Sequence, residues 1–410
     1  MKICGVVCEY NPFHLGHEYQ LREAKKRSCA DAIVCVMSEN FTQRGEAAIL
    51  PARVRAKHAI ICGADAVISL PVVFSSSAAE IFARGAIRIL CSLPGFSCLS
   101  FGAEHAESDF YAAAEILNDE RAYMEKAKEF LSRGFSFAAA RGEALKNTAA
   151  SPLLSSPNDI LGLEYARALL KENKRESVSL LPIARRGEYK NSVLAQCGAA
   201  EFSSASAIRG AIEKGDFAVL SSELPACVYE DIKGAKLANE TLSAAEKIAV
   251  LTANESELAR TADVSEGLEN ALKKAAKSQA DVVSALTSKR YTASRVNRIL
   301  LQNLLKIRKE LVFECLTEPL YIKPIAVKKE RKDLLAVLSS GAFPCVLRCA
   351  DERKLSGAAK RCSYMMSPPQ MNRRLRRFTA GLRQSMTVQS GWGTALCSAL
   401  RRAKRRASGS

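Results

Sequence analysis

Two of the chain's four histidines stand three residues apart, in Glu9-Tyr10-Asn11-Pro12-Phe13-His14-Leu15-Gly16-His17. The stretch follows a strand-like apolar run, Ile3–Cys8, and leads into an amphipathic one, Leu15–Lys26, so it reads as a strand-to-helix turn. At such a turn His14 and His17 share one side of the first helical turn. They sit beside N–H groups that the helix leaves unpaired and at the positive end of its dipole. Phosphate is the natural ligand there. Two imidazoles can donate to α- and β-phosphate oxygens, stabilising charge as a nucleophile adds at the α-phosphorus. Gly16 lets a nucleotide approach without meeting a side chain, and Pro12 stiffens the turn that presents Asn11. The plainer reading is a helix start with surface histidines; a zinc pair lacks a third ligand in sequence reach. His58, in an expected helix, and His105, in an expected loop, read as structural or surface residues.

The elements that must position this turn are legible as an alternation. Short apolar runs recur at Ile3–Cys8, Ala32–Met37, Ala66–Leu70, Cys98–Phe101 and Val178–Ile183, with helix-like stretches between them at Leu15–Lys26, Val54–Cys62, Ala78–Leu90 and Ala112–Leu117. Strands alternating with helices predict a parallel sheet covered on both faces, with ligands at the carboxyl ends of its strands. After about Phe217 the pattern turns to Ala-, Leu-, Lys- and Glu-rich segments, Leu242–Ala253, Gly267–Lys277 and Ser294–Lys309, which predict helices. A mixed stretch, Tyr321–Val327, Leu334–Leu338 and Cys345–Arg348, is expected to form a small strand-helix-strand unit. The expectation is an α/β fold: a Rossmann-like parallel-sheet domain over residues 1–217, then a mainly helical, basic region over 218–410.

Sixty Lys and Arg against 43 Asp and Glu leave the 410-residue chain with a formal charge of +17. Residues 371–410 alone carry ten basic residues and no acid. A second stretch, Lys289 to Lys309, also lacks acids; there Val296, Ile299, Leu300, Leu304 and Ile307 keep the helical period while Arg295, Arg298 and Lys306 follow a polar stripe. Several cations on one surface gain affinity for a phosphate backbone by releasing its counterions, so a nucleic acid explains this distribution better than a small metabolite does. A solvated face with a basic tail is the alternative. No uncharged apolar run reaches membrane-spanning length, and no secretory segment opens the sequence, so a cytoplasmic location without membrane contact is expected. The fourteen cysteines are scattered with no Cys-x-x-Cys pair, and read as reduced thiols rather than a metal or disulfide framework.

The strand-turn-helix resembles the His-x-Gly-His signature of the nucleotidyltransferase superfamily, whose members transfer an adenylyl or cytidylyl group and release pyrophosphate. Ser204-Ala205-Ser206-Ala207-Ile208-Arg209 is similar to the superfamily's Ser-Ser-Thr-x-Ile-Arg element, with Ala205 and Ser206 in place of the usual Ser and Thr; hydroxyls there cap a helix and the Arg holds β- and γ-phosphates. A wider resemblance rests on Glu9–His17, Met37-Ser38-Glu39-Asn40-Phe41-Thr42-Gln43-Arg44-Gly45-Glu46, Gly63-Ala64-Asp65-Ala66-Val67-Ile68-Ser69-Leu70-Pro71, Phe101-Gly102-Ala103-Glu104, Ser156–Tyr165 and Lys289-Arg290-Tyr291-Thr292. Together these resemble the bacterial tRNA(Met) cytidine acetate ligase family.

The resemblance implies an enzyme that activates acetate with ATP to acetyl-adenylate and then acetylates N4 of the wobble cytidine of elongator tRNA(Met), with no protein partner called for. It implies His14 and His17 as the catalytic pair. ATP would meet Val7, Cys8, Glu9, Tyr10, Asn11, Pro12, Phe13, His14, Leu15, Gly16, His17, Glu18, Tyr19 and Gln20, then Gly102, Asn158, Ser206, Arg209 and an Arg after the last strand. That Arg is Arg185 or Arg186, with Arg185 preferred. Mg²⁺ would arrive with the triphosphate, since no dedicated carboxylate cage is evident. The family pattern has Gly where Glu39 stands and Lys where Ala52 stands; Arg53 and Arg55 are near enough to replace that Lys. Gln43-Arg44-Gly45 reads either as an anion-binding loop or as a turn, and Asn158 either as an adenosine or ribose contact or as a helix cap. Two other functions fit the same features: an adenylyltransferase for a small phosphorylated metabolite, and a non-catalytic RNA-binding protein on a nucleotidyltransferase scaffold.

Overall fold

Every residue of Ala32–Ser38 and Ala66–Leu70 is buried, as strands covered on both faces require. In the computed structural model, which describes residues 1–135, 137–185, 202–233, 239–265, 267–278, 281–288, 290–348 and 350–365, these runs lie inside one six-stranded sheet. Its strands are β1 (Ile3–Cys8), β2 (Ala32–Ser38), β3 (Ala66–Leu70), β4 (Phe96–Ala103), β5 (Ser179–Ala184) and β6 (Pro324–Val327), ordered β5-β4-β1-β2-β3-β6. All pairings are parallel except β3 with β6. From β1 the chain winds to β2 and β3 on one side, then crosses to β4 on the other. The carboxyl ends of β1 and β4 therefore flank the switch point where ligands bind in such sheets.

The helices that matter below are α1 (Leu15–Ser28), α2 (Ala52–Ile61), α3 (Ala79–Cys91), α4 (Phe110–Asn118), α5 (Pro157–Lys171), α6 (Ala205–Lys214), α7 (Ala226–Ile232), α8 (Asn239–Thr252), α9 (Leu268–Lys277), α10 (Ala293–Leu305), α11 (Lys309–Thr317) and α12 (Lys332–Ser339). Strand alternation sends Ile3, Val34 and Ile68 to one face and Cys4, Ile33 and Val67 to the other. The first set packs with Ile87 and Leu90 of α3 and Leu163 and Leu169 of α5, the second with Leu21 of α1, Ala56 of α2, Ile208 of α6 and Val228 of α7. None of the helices among the described residues is long and apolar enough to cross a membrane.

Two expectations about the second half change. The helix expected over Ser294–Lys309 ends at Leu305, because Lys306 adopts a left-handed conformation (φ 61°) that caps it, and α11 starts afresh at Lys309. The expected strand-helix-strand unit does not stand by itself: Pro324–Val327 joins the main sheet along β3, α12 follows, and Cys345 makes only an isolated bridge to Ile322. Leu301 and Leu305 of α10 and Leu334 and Leu338 of α12 share the core of the first half. The basic tail 371–410, Lys289 and Arg186 lie outside the described residues.

Candidate active site

At the carboxyl end of β1 the chain turns sharply through Tyr10 (φ 48°) and enters α1 with His14 as its N-cap. The two histidines cap the helix reciprocally. Gly16 N–H donates to His14 Nδ1 (3.1 Å), and His14 N–H donates to His17 Nδ1 (3.3 Å). A nitrogen that accepts carries no proton, so the neutral tautomer of each ring has its proton on Nε2. The capping arrangement thus leaves two Nε2–H donors, on rings stacked with centroids 3.7 Å apart. Tyr10 and Phe13 are buried and hold the His17 ring at 4.9 and 5.5 Å. Burial pulls His14 down to about 3 and His17 well below the ordinary imidazole range, with Arg185 adding to both shifts. Both are therefore neutral donors at physiological pH. His14 is not a surface residue, being only 7% exposed, and His17 is half-buried.

Gly16 has a more local reason than room for a nucleotide. A Cβ there would meet the His14 ring at 2.9 Å, so glycine lets the cap form. His14, Gly16, His17, Tyr19, Gln20, Gly102, Ile183, Ala184, Arg185, Phe202 and Ser203 line one pocket at the switch point. A roomier hollow, lined by Ser97, Tyr111, Arg175 and Ser179 among others, lies at the amino ends of β4 and β5, away from the histidines.

The far wall is built on β4, β5 and α5. Asn158 Nδ2 donates to Glu104 Oε1 (2.6 Å), and Arg185 Nε stands 3.7 Å from the same oxygen. Buried Asp159 accepts from the backbone N–H groups of Glu104 and His105 and from His105 Nδ1 (2.8 Å). Asn158 is thus fastened to Glu104 rather than capping α5, whose N-cap is Ser156. His105, held by Asp159, does not line the pocket. On the near side Ser204 caps α6, accepting from Ala207 N–H (3.1 Å), while Arg209 donates to Asn11 O (2.8 Å) and Ser206 Oγ (3.2 Å). Leu15 N–H donates to Glu223 O (3.2 Å), which ties α1 to the chain after α6.

Not every expected contact residue reaches the pocket. Cys8, Tyr10 and Phe13 are core, Val7 packs against it, and Asn11 faces the loop after β2, with Oδ1 accepting from Ile49 N–H (2.8 Å). Glu9, Pro12, Leu15, Glu18, Asn158, Ser206 and Arg209 are not among the pocket-lining residues; Asn158 connects to the pocket through Glu104, which pairs with Arg185, and Ser206 and Arg209 through Asn11 O. The loop Glu39–Pro51 was readable only as a motif. Its Gln43 N–H donates to Glu9 Oε1 (2.6 Å), and Gly45, at φ 75°, lies so close to α10 that a Cβ would come within 2.5 Å of Arg298 N. Gln43-Arg44-Gly45 is therefore a dock for a helix of the second half. Glu39 accepts from Ser69 Oγ (2.5 Å) and pairs with Lys323 (3.6 Å), so the departure from Gly is absorbed structurally. Ala52 is buried, and Arg55 is wholly buried against Glu9 rather than offered to a ligand.

The cation stripe of α10 also differs from its expected use. Arg298 pairs with Asp263 (2.8 Å) and donates to Gln43 O; Arg295 donates to Asp263 O and Ser265 Oγ and lies over the Tyr291 ring. These guanidinium groups hold the helical half together, which the stripe's spacing alone did not reveal because Asp263 is 32 and 35 residues away.

Comparison with known proteins agrees with this architecture. The HIGH Nucleotidyl Transferase family matches residues 1–375. A tRNA(Met) cytidine acetate ligase of Thermoanaerobacter sp. (strain X514) is 37% identical over 348 residues, 82% of this chain and 85% of that one. One of Acetivibrio thermocellus is 34% identical over 374 residues, 86% and 89% of the two chains. Among solved structures, Thermotoga maritima TmcAL bound with alpha-thio ATP superposes with a TM-score of 0.77 at 30% identity, covering 86% of this chain and 87% of that one.

Proposed function

The chain belongs to the tRNA(Met) cytidine acetate ligase family within the HIGH nucleotidyl transferases, and from that premise we propose that it is a ligase that joins acetate to a tRNA cytidine through acetyl-adenylate. The observation that carries the reading is the pair of neutral imidazoles whose Nε2–H donors are fixed by the helix cap at the switch point of the sheet. A carboxylate oxygen of acetate attacks the α-phosphorus of ATP in line; the bond from that phosphorus to the α,β-bridging oxygen breaks and pyrophosphate leaves with that oxygen. The cytidine N4 amine then attacks the acyl carbon, AMP departs, and N4 loses a proton. His14 and His17 donate to the phosphate oxygens as charge builds, a role that costs no imidazole protonation. Arg185 and Arg209, on opposite walls, compensate the triphosphate.

His14, Gly16, His17, Tyr19, Gln20, Gly102 and Arg185 are the residues read as touching ATP, with Asn158, Ser206 and Arg209 behind them. Mg²⁺ is read as an ion that arrives with the triphosphate. Residues 1–217 are read as the ATP-binding part and 218–410 as the part that engages tRNA, with elongator tRNA(Met) as substrate. Incubation with ATP, labelled acetate and total tRNA, followed by nucleoside analysis, tests this: label in N4-acetylcytidine supports it, and labelled acetate left wholly free argues for one of the other two functions.

A further inference from the structure

Arg55 is among the largest wholly buried side chains of the described residues, and nothing in the reaction written above uses it. It projects from α2 to the end of β1, where Nη1 donates to Glu9 O and Nε donates to Leu50 O (3.0 Å); among the described residues Nη2 has no hydrogen-bond partner. Burial lowers its pKa to about 10, so it remains a cation at physiological pH. Burying a guanidinium in a core is costly unless it is compensated. The carboxylates of Glu9 and Glu39 offset its charge, and Glu9 also takes Gln43 N–H (2.6 Å) and Ser38 Oγ–H (3.4 Å) on Oε1. Glu9 and Asn11 bracket Tyr10, the left-handed residue of the turn, and Asn11 is gripped by Ile49 N–H on one side and Arg209 on the other. Arg55 and Glu9 therefore stand at the root of the segment that delivers His14 and His17.

We propose that Arg55 is a positioning residue for adenylation: it clamps the backbone at Glu9, and the Glu9 carboxylate, bonded to Gln43 N–H and Ser38 Oγ–H, holds the turn that sets the two imidazoles. The inference rests on the adenylation reading. Burial raises the Glu9 pKa, and three cations oppose that rise: Arg55 from α2, Arg209 from α6 and Arg44 from the loop. Cys8 and Tyr165 of α5 also lie near, both with pKa values raised by burial and therefore uncharged. Protonated Glu9 is a weaker acceptor for Gln43 N–H and removes one of the two carboxylates that offset Arg55, leaving Glu39. Activity should thus fall on acidification along the Glu9 titration, and removal of Arg55 should move that fall to higher pH.

The test is acetate-dependent exchange of pyrophosphate into ATP, read as kcat/KM from about pH 5 to about 8 for wild type, Arg55→Met, Arg55→Lys and Glu9→Gln. Titrations of acetate and ATP are common to all four proteins and cancel in variant-to-wild-type ratios. The ratio for Arg55→Met should be down about 10²-fold from displacement of the turn and should decline further toward acid. Arg55→Lys, which keeps the charge but cannot span both carbonyls, should stay slow with a ratio independent of pH. Glu9→Gln should give a ratio that rises toward acid, and it decides the matter if Arg55→Met does not fold. A flat ratio for folded Arg55→Met, or for Glu9→Gln, overturns the role. Wild-type protein without any acetate-dependent exchange refutes the adenylation reading instead, so the two failures are distinct.

Discussion

At the scale of the residue, the proposed reaction works through neutral histidines held in one tautomer by the helix they cap. His17→Ala removes one Nε2–H donor and half of the reciprocal cap. Acetate-dependent pyrophosphate release should fall by about 10²–10³, while the melting temperature should reflect only the cap, about 1 kcal/mol. A thermal melt beside the rate assay separates the two, and wild-type turnover in the folded variant would remove His17 from catalysis. Because burial draws His14 to about 3 and His17 well down, the two imidazoles themselves should add no break at their ordinary pKa. A histidine-like limb that persists in Glu9→Gln would contradict the neutral-donor assignment.

At the scale of the element, the loop after β2 joins the site to the helical half. Gly45→Ala puts a Cβ against the α10 backbone at a positive φ, so it should cost about 1–3 kcal/mol and lower activity by loosening Gln43 from Glu9; chemical denaturation and the exchange assay together check this. A second prediction concerns α8, where burial alone lifts the Glu246 carboxyl to about 8. The folded state then holds a proton that the unfolded state has released. Stability from this group is present below the ordinary carboxylate range and is lost as pH rises to about 8. Glu246→Gln should abolish that loss and be more stable than wild type above that pH by a few kcal/mol, on the order set by the shift; equal pH dependence of unfolding in both proteins would refute it. The strand at Ile3–Cys8 and the turn after it were legible because local apolar runs and caps write themselves into adjacent residues. The Gly45–Arg298 contact, the Arg55–Glu9 clamp and the Arg298–Asp263 pair were not, because they join residues far apart in sequence whose types do not name their partners. Arg298 looked like a cation for RNA for the same reason.

At the scale of the whole molecule, a nucleotide site and a surplus of positive charge share one chain. With Arg295 and Arg298 tied to Asp263 and Ser265, the ten cations of residues 371–410 become the better candidate for the tRNA surface. Removing that segment should weaken tRNA binding and flatten its dependence on salt by about 0.9 per lost phosphate contact on the duplex scale, with pyrophosphate exchange unchanged; an unaltered salt slope would return the RNA surface to the helical half. The residues read as touching ATP all precede Arg209, and the cap that fixes the histidines needs no RNA. The most direct test of the account is therefore exchange of labelled pyrophosphate into ATP by the wild-type protein with acetate present and tRNA absent. The account predicts exchange that requires acetate and proceeds without tRNA. Exchange indifferent to acetate, or none until tRNA is added, would contradict it.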